Sequence, residues 1–208
     1  FVQVAGSFNN YDPDATYAMK KDPTSDKFWL EITGLTSNQI YTYQYWVYAE
    51  NPVAGSPTLV KAADPYSTLV LSPFDDPFIP ANSYPNIPVY PAGQEREVTV
   101  LQTGQTPYDW QVDNFVKPKK EDLIVYEVLI RDFDENRNYQ DLIDRIDYFK
   151  NLHVNAIQLM PVMEYEGNES WGYNTSFHMA LDKYYGTSDK FKEFVDLCHQ
   201  NGIAVILD

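Results

Sequence analysis

Three apolar runs divide the second half of the chain: LIVYEVLI (123–130), NAIQLMPV (155–162) and IAVILD (203–208). Each is short and nearly continuous, which suits a strand covered on both faces. Between the first two lies NYQDLIDRIDYFKNLHV. Here Leu142, Ile143, Ile146, Phe149 and Leu152 share one stripe at helical spacing, behind Asn138 as a candidate N-cap. Between the last two lies TSDKFKEFVDLCHQNG, with Phe191, Phe194, Val195 and Cys198 on the stripe. Thr187 or Ser188 starts that helix and Gly202 stops it. The order is β-α-β-α-β, which predicts parallel strands joined by right-handed crossovers. Such a pattern opens either a (β/α)8 barrel or an open doubly wound sheet; three strands cannot close a barrel. RDFDENRN follows the first strand in place of a glycine-rich fingerprint, which argues against a dinucleotide fold.

The first half has a different period. FVQVAGSF, KFWLEI, IYTYQYWVY and EVTVLQ are short β-branched and aromatic runs, separated by the turn clusters NNYDPD, KDPTSD, TGLTSN and NPVAGSP. Strands at this spacing suggest a β-sandwich over residues 1–105, with Trp29 and Trp46 in its core. Residues 72–95 carry many of the prolines and read as an irregular surface connector. VKPKKED marks a second boundary, near residue 118.

Composition narrows the partners. Fifteen Lys and Arg against 30 Asp and Glu give a formal charge of −15, which disfavours a nucleic-acid backbone. There is no run of 18 apolar residues, hence no candidate membrane-spanning helix. Cys198 is the one cysteine; it excludes an internal disulfide and reads as a buried small hydrophobe. The 17 Tyr, 11 Phe and 4 Trp fit a carbohydrate site, where rings stack on sugar faces, but antiparallel strands also favour aromatics.

The most informative segment follows the second strand. MEYEGNESWGYNTSFHMALDKYYGT is far longer than the two to six residues of an ordinary βα loop. In barrels such loops stand on the catalytic face. This one gathers Trp171, Tyr173, Tyr184, Tyr185, His178, Glu164, Glu166, Glu169 and Asp182. Neither histidine reads as a catalytic base. His178 lacks an evident acid partner, and His199 sits near a helix C-terminus, where a cation suits the dipole. No cluster has metal-ligand spacing. Asn168-Glu-Ser170 and Asn174-Thr-Ser176 fit glycosylation acceptors, a tripeptide common by chance.

VYEVLIRDF, together with the continuous stretch NAIQLMPVMEYEGNESWGYNTSFHMALDKYYGTSDKFKEFVDLCHQNGIAVILD, resembles the start of the catalytic barrel of the α-amylase superfamily. Its branching, debranching and related bacterial α-amylase members are the most similar. VAGSFNNYDP resembles the GSFNNW turn of early-set sandwich domains of the carbohydrate-binding module 48 type, and YTYQYWVY with ADPYS resembles their later strand and exit. The resemblance implies a multidomain β plus α/β chain. An immunoglobulin-like early-set β-sandwich (1–105, with connector 72–95) precedes the first β-α-β-α-β units of a (β/α)8 TIM barrel (118–208), truncated at strand three.

The resemblance also implies chemistry. The family acts on α-glucans (starch, glycogen, maltooligosaccharides) with retention, one carboxylate attacking and a second serving as acid and base. In the family these carboxylates follow strands four, five and seven, so the expectation is that they lie beyond Asp208 and that no catalytic residue is to be assigned here. Taken as it stands, the chain is expected to be inactive and to lack the rest of its own barrel. Tyr173 matches the tyrosine that stacks on the sugar at the cleavage point. Asp208 matches the first residue of a region that orders the catalytic centre; Trp171 is expected as a loop anchor or a substrate contact. Tyr11 stands where starch-binding sandwiches carry a stacking Trp, although Gln44 replaces a basic residue of glycogen binders, so a purely buttressing sandwich is also expected. No cofactor is expected; calcium occurs in the family, but no ligand pattern is visible. The competing reading is a non-catalytic glucan-binding or scaffold protein. A phosphosugar barrel is disfavoured by the lack of a phosphate-binding glycine cluster.

Overall fold

The computed structural model describes residues 1–208. The chain separates into two compact units, Phe1–Phe74 with Pro88–Thr106, and Asp75–Ile87 with Pro107–Asp208.

The first unit is antiparallel. Its organising strand is β4 (Ile40–Tyr48), whose alternating aromatics favour a pleated, half-buried surface. Along one edge it pairs with β1 (Val2–Gly6), from Val2 opposite Val47 to Gly6 opposite Tyr43. Its other edge is shared: Ile40–Tyr43 pair with β7 (Val98–Gln102) and Tyr45–Tyr48 with β5 (Leu59–Ala62). The short β6 (Val70–Leu71) completes the five-stranded sheet beside β7. KFWLEI contributes only β3 (Phe28–Trp29), which pairs with β2 (Lys20–Lys21) in a separate two-stranded ribbon. Beyond β3, Leu30, Ile32 and Leu35 face Val4, Tyr43, Tyr45 and Leu101 of the large sheet across an apolar cavity of about 250 Å³.

Two expected core tryptophans lie elsewhere. Trp29 is 50% exposed, under the Lys20 ammonium at 4.9 Å. Trp46 is half-buried, with the Lys61 ammonium 4.7 Å from its ring. Both sit on sheet surfaces, where an indole can cover apolar area and still face a cation. Gln44 is fully buried instead, donating from Nε2 to the carbonyls of Glu95 and Glu97, both at 2.8 Å.

The second unit is built on a three-stranded parallel sheet. The strands β8 (Val125–Val128), β9 (Ala156–Leu159) and β12 (Ala204–Leu207) lie in the order β12-β9-β8. Register is continuous: Val128 pairs with Leu159 and Leu159 with Leu207. The apolar runs are longer than the strands they form. Ile130 already opens a short helix, α1 (Ile130–Phe133), and Val125, on an outer strand, is 44% exposed rather than covered on both faces.

The first helical stripe splits in two, α2 (Tyr139–Asp144) and α3 (Ile146–Asn151), separated by Arg145 at φ −101°, ψ 14°. Leu142 and Phe149 are fully buried, whereas Leu152 falls past the end of α3 and is half exposed. Asn138 caps α2 as expected. Thr187 caps α4 (Ser188–Gln200), its hydroxyl accepting from the Lys190 amide. Gly202, at φ 72°, turns the chain out of that helix into β12. Phe194 and Cys198 pack with Phe149, Ile157 and Leu159 in one core. Burial pushes the Cys198 thiol up to about 12, so it is inert as a nucleophile.

Part of the proline-rich stretch is built into this unit. Asp76–Phe78 form a 3-10 turn, and buried Ser83 accepts from Asn138 Nδ2 at 3.1 Å. No helix of the chain is long and apolar enough to cross a membrane.

Candidate functional site

The segment after β9 is an antiparallel hairpin rather than an open loop. Its arms are β10 (Met163–Tyr165) and β11 (Thr175–Leu181), with register shifts on both sides of Glu164. The hairpin tip turns at Gly172, whose φ is 91°. A Cβ there would lie 2.5 Å from the Pro161 carbonyl oxygen. Only glycine allows this approach, which seats the tip against the end of β9.

Trp171 and Tyr173 flank that contact, 61% and 60% exposed. The Tyr173 hydroxyl donates to Asp208 Oδ2 at 2.6 Å, and the Asp208 amide donates to the Leu159 carbonyl at 3.1 Å. The structure thus joins two residues singled out from sequence, at the carboxyl ends of β9 and β12. The carboxylate of Asp208, more than any burial, raises the Tyr173 phenol above its ordinary range. With its hydroxyl committed, the ring offers an open aromatic face beside a carboxylate, suited to stacking on a sugar. Trp171, 61% exposed, leaves much of its ring in solvent.

Beside this pair, Gln158 Nε2 donates to Glu127 Oε1 at 3.3 Å, across neighbouring positions of β9 and β8. The signal for Glu127 was its place as the single charge in LIVYEVLI; Gln158 occupies the matching position in the next run.

The remaining acidic residues of the segment do other work. Glu164 is 6% exposed and accepts from the Lys183 ammonium. Lys183 is 1% exposed and also meets Asp76 at 3.3 Å. Burial opposes the charge on Lys183, but the Glu164 and Asp76 carboxylates outweigh it and hold its pKa up. Asp182 accepts from the Tyr184 amide at 2.9 Å and the Tyr165 amide at 3.4 Å. Burial, reinforced by Glu164, pushes the Asp182 carboxyl up to about 8. Glu166 and Glu169 are exposed, and Glu169 pairs with Arg137 at 3.2 Å.

Of the two histidines, His178 is exposed on β11, and His199 stacks on Phe115 at 4.0 Å between centroids. Burial, partly offset by Asp196, keeps His199 below its ordinary pKa. Asn168 is engaged, its Nδ2 donating to the Asp75 carbonyl at 2.9 Å. No group of three or more His, Cys, Asp or Glu could hold a metal ion.

In the first unit, Tyr11 adopts φ 55° and donates its hydroxyl to Thr42 Oγ1 at 2.6 Å. Burial raises its pKa despite that bond. Tyr11→Phe should therefore cost about 1 kcal/mol, read as a lower urea midpoint; an unchanged midpoint would mean the bond is not formed in solution.

The family model described as "Alpha amylase, catalytic domain" matches residues 111–208. A malto-oligosyltrehalose trehalohydrolase of Saccharolobus solfataricus is 37% identical over 101 residues, 49% of this chain and 18% of the relative. A 1,4-alpha-glucan branching enzyme of Nitrosomonas europaea is 29% identical across 100% of this chain and 26% of its own length. One of Chlamydia trachomatis is 34% identical, over 100% of this chain and 25% of the enzyme. The chain thus spans about a quarter or less of these curated relatives. A solved structure of a multi-modular glycogen-degrading pneumococcal virulence factor superposes with a TM-score of 0.65 at 22% identity, covering 100% of this chain and 24% of that one; it shares the fold. Residues 111–208, just under half of the chain, carry this likeness to the α-amylase catalytic domain.

Proposed function

We propose that the chain is the N-terminal part of an α-glucan-active enzyme, a glycoside hydrolase or transglycosylase acting with retention. The observation that carries this reading is the Tyr173–Asp208 pair at the carboxyl ends of adjacent parallel strands, with the Tyr173 ring exposed. The parallel sheet with its helices (118–208) is read as the opening of a (β/α)8 barrel, whose ligands bind at the carboxyl ends of the strands. The antiparallel unit (1–105) is read as an early-set, immunoglobulin-like sandwich.

Tyr173 and Trp171 are the substrate contacts in this reading, with Asp208 holding the Tyr173 ring. Retaining glycoside transfer needs two carboxyls about 5–5.5 Å apart across the scissile bond. Glu164 and Asp182 do not serve: they are buried beneath the hairpin, and Glu164 is paired with Lys183. By the resemblance to the family, the nucleophile and the acid/base are expected after later strands, outside residues 1–208. Transfer is the preferred reaction, because two curated relatives aligned over the whole chain are branching enzymes. In the first unit Tyr11 remains the candidate glucan contact. The burial of Gln44 and the Thr42 bond of Tyr11 favour a buttressing role there.

The test is an assay of the full-length protein on amylose, glycogen and maltooligosaccharides. Both new reducing ends and new α-1,6 linkages are measured. Either product supports the reading, and linkages without net reducing ends assign transfer. Binding of maltooligosaccharide with neither product would reassign the protein as a non-catalytic glucan binder.

A further inference from the structure

We propose that Lys183 and the carboxyls of Asp76, Glu164 and Asp182 form a pH-sensitive clasp fastening segment 75–87 to the hairpin that carries Trp171 and Tyr173. This inference is independent of the substrate.

The clasp joins two stretches remote in sequence. Asp76 opens the 3-10 turn of segment 75–87, Glu164 lies on β10, and Asp182 and Lys183 follow β11 directly. Lys183 stands between the strap and the hairpin, in contact with Asp76 at 3.3 Å and with Glu164 on its other side. One further bond follows the same seam and a second ties the segment to the start of α2. Asn168 Nδ2 holds the Asp75 carbonyl at 2.9 Å, and Asn138 Nδ2 holds Ser83 Oγ at 3.1 Å.

The charge count makes the seam sensitive to protons. Lys183, Glu164 and Asp182 are at most 6% exposed, and the Asp76 side chain is 9% exposed. Fully ionised, three carboxylates would face one ammonium in a site nearly closed to water. Burying such an excess of like charge is costly, so the cluster keeps a proton near neutrality. The other groups facing it do not supply a second cation in contact. Tyr84 adjoins Lys183, Asp76, Glu164 and Asp189, while Tyr139, Tyr165 and Tyr185 face Asp182. Arg131 reaches the far side, near Tyr165 and Tyr185, but its guanidinium is paired with Asp132 at 2.7 Å.

The sign follows. The Asp182 carboxyl is raised in the folded state, so its contribution is complete below its ordinary range near pH 4 and is lost as pH climbs through about 8. Deprotonation leaves two carboxylates opposed without a second cation, and the strap and the hairpin part.

The test is amide hydrogen exchange on the full-length protein between pH 6 and 9.5, corrected for intrinsic rates. Protection should fall at least tenfold in residues 75–87 and 163–181 together above about pH 8, while α4 keeps its protection. Asp182→Asn should retain protection in both segments at pH 9.5. Asp76→Asn, should the first variant fail to fold, lowers the buried charge from the strap side and should hold the hairpin protected to higher pH. Protection independent of pH, loss confined to one of the two segments, or a loss that neither variant shifts would overturn the clasp.

Discussion

Lys183→Met should destabilise the protein by about 3–5 kcal/mol at pH 8, the range expected when one partner of a buried ion pair is removed. The methionine fills similar space, so the loss is electrostatic. Glu164 and Asp76 would face each other without the ammonium that now meets both. Loss of the ammonium raises the Glu164 carboxyl, already held up by burial, further above its unfolded value. The variant's deficit should therefore shrink toward pH 5 and grow as pH rises. Urea unfolding at both pH values reads this directly. The double variant Lys183→Met with Glu164→Gln should recover at least half of the loss, because it removes the orphaned charge as well. A deficit below 1 kcal/mol, equal at both pH values, would mean that water reaches the cluster in solution.

That cluster also shows where sequence reading stops. Periodicity exposed the parallel strands because Val128, Ile157, Leu159 and Ile203 must be apolar whatever surrounds them. The caps at Asn138 and at Thr187 or Ser188 are legible because cap chemistry is local, a side-chain oxygen meeting an amide three residues on, as at Asn138 and Thr187. The hairpin was read as a long loop for the opposite reason. TSFHMAL does not alternate cleanly, since His178 and Met179 are both exposed, and bulges beside Glu164 break the period of its partner. Nothing local to Lys183 and Asp182 in the sequence signals their burial. The burial of Lys183 depends on Asp76, contributed by a proline-rich stretch that composition marks only as a connector. Trp29 and Trp46 mislead in the other direction: large apolar rings that are placed on sheet surfaces under lysine ammoniums. Tyr173 and Asp208 were legible as a resemblance; the bond between their side chains was not.

The hairpin tip supplies the second large effect. Gly172→Ala should destabilise the protein by about 2 kcal/mol or more, against about 1 kcal/mol for Gly167→Ala. Both glycines have positive φ, 91° and 81°, so both substitutions strain the backbone. They differ in surroundings: nothing lies within 4 Å of a Cβ at Gly167, whereas at Gly172 the Pro161 carbonyl oxygen would be 2.5 Å away and the Pro161 Cβ 2.8 Å. Neither Pro161 atom is the end of a flexible side chain, so the tip must lift. Lifting it withdraws the Tyr173 hydroxyl from Asp208, breaking a bond of 2.6 Å. The Tyr173 phenol should then titrate at lower pH, because the carboxylate that holds its proton has moved away. Ultraviolet difference titration of Gly172→Ala against Gly167→Ala isolates that change, and urea unfolding gives the stability difference. If the proposed function is right, Gly172→Ala should also lose at least tenfold in kcat/KM on maltooligosaccharides while Gly167→Ala stays near wild type. Equal stability losses for the two variants would show that the contact with Pro161 does not seat the tip. Unequal stability with equal activity would keep the geometry and remove Tyr173 from the substrate site.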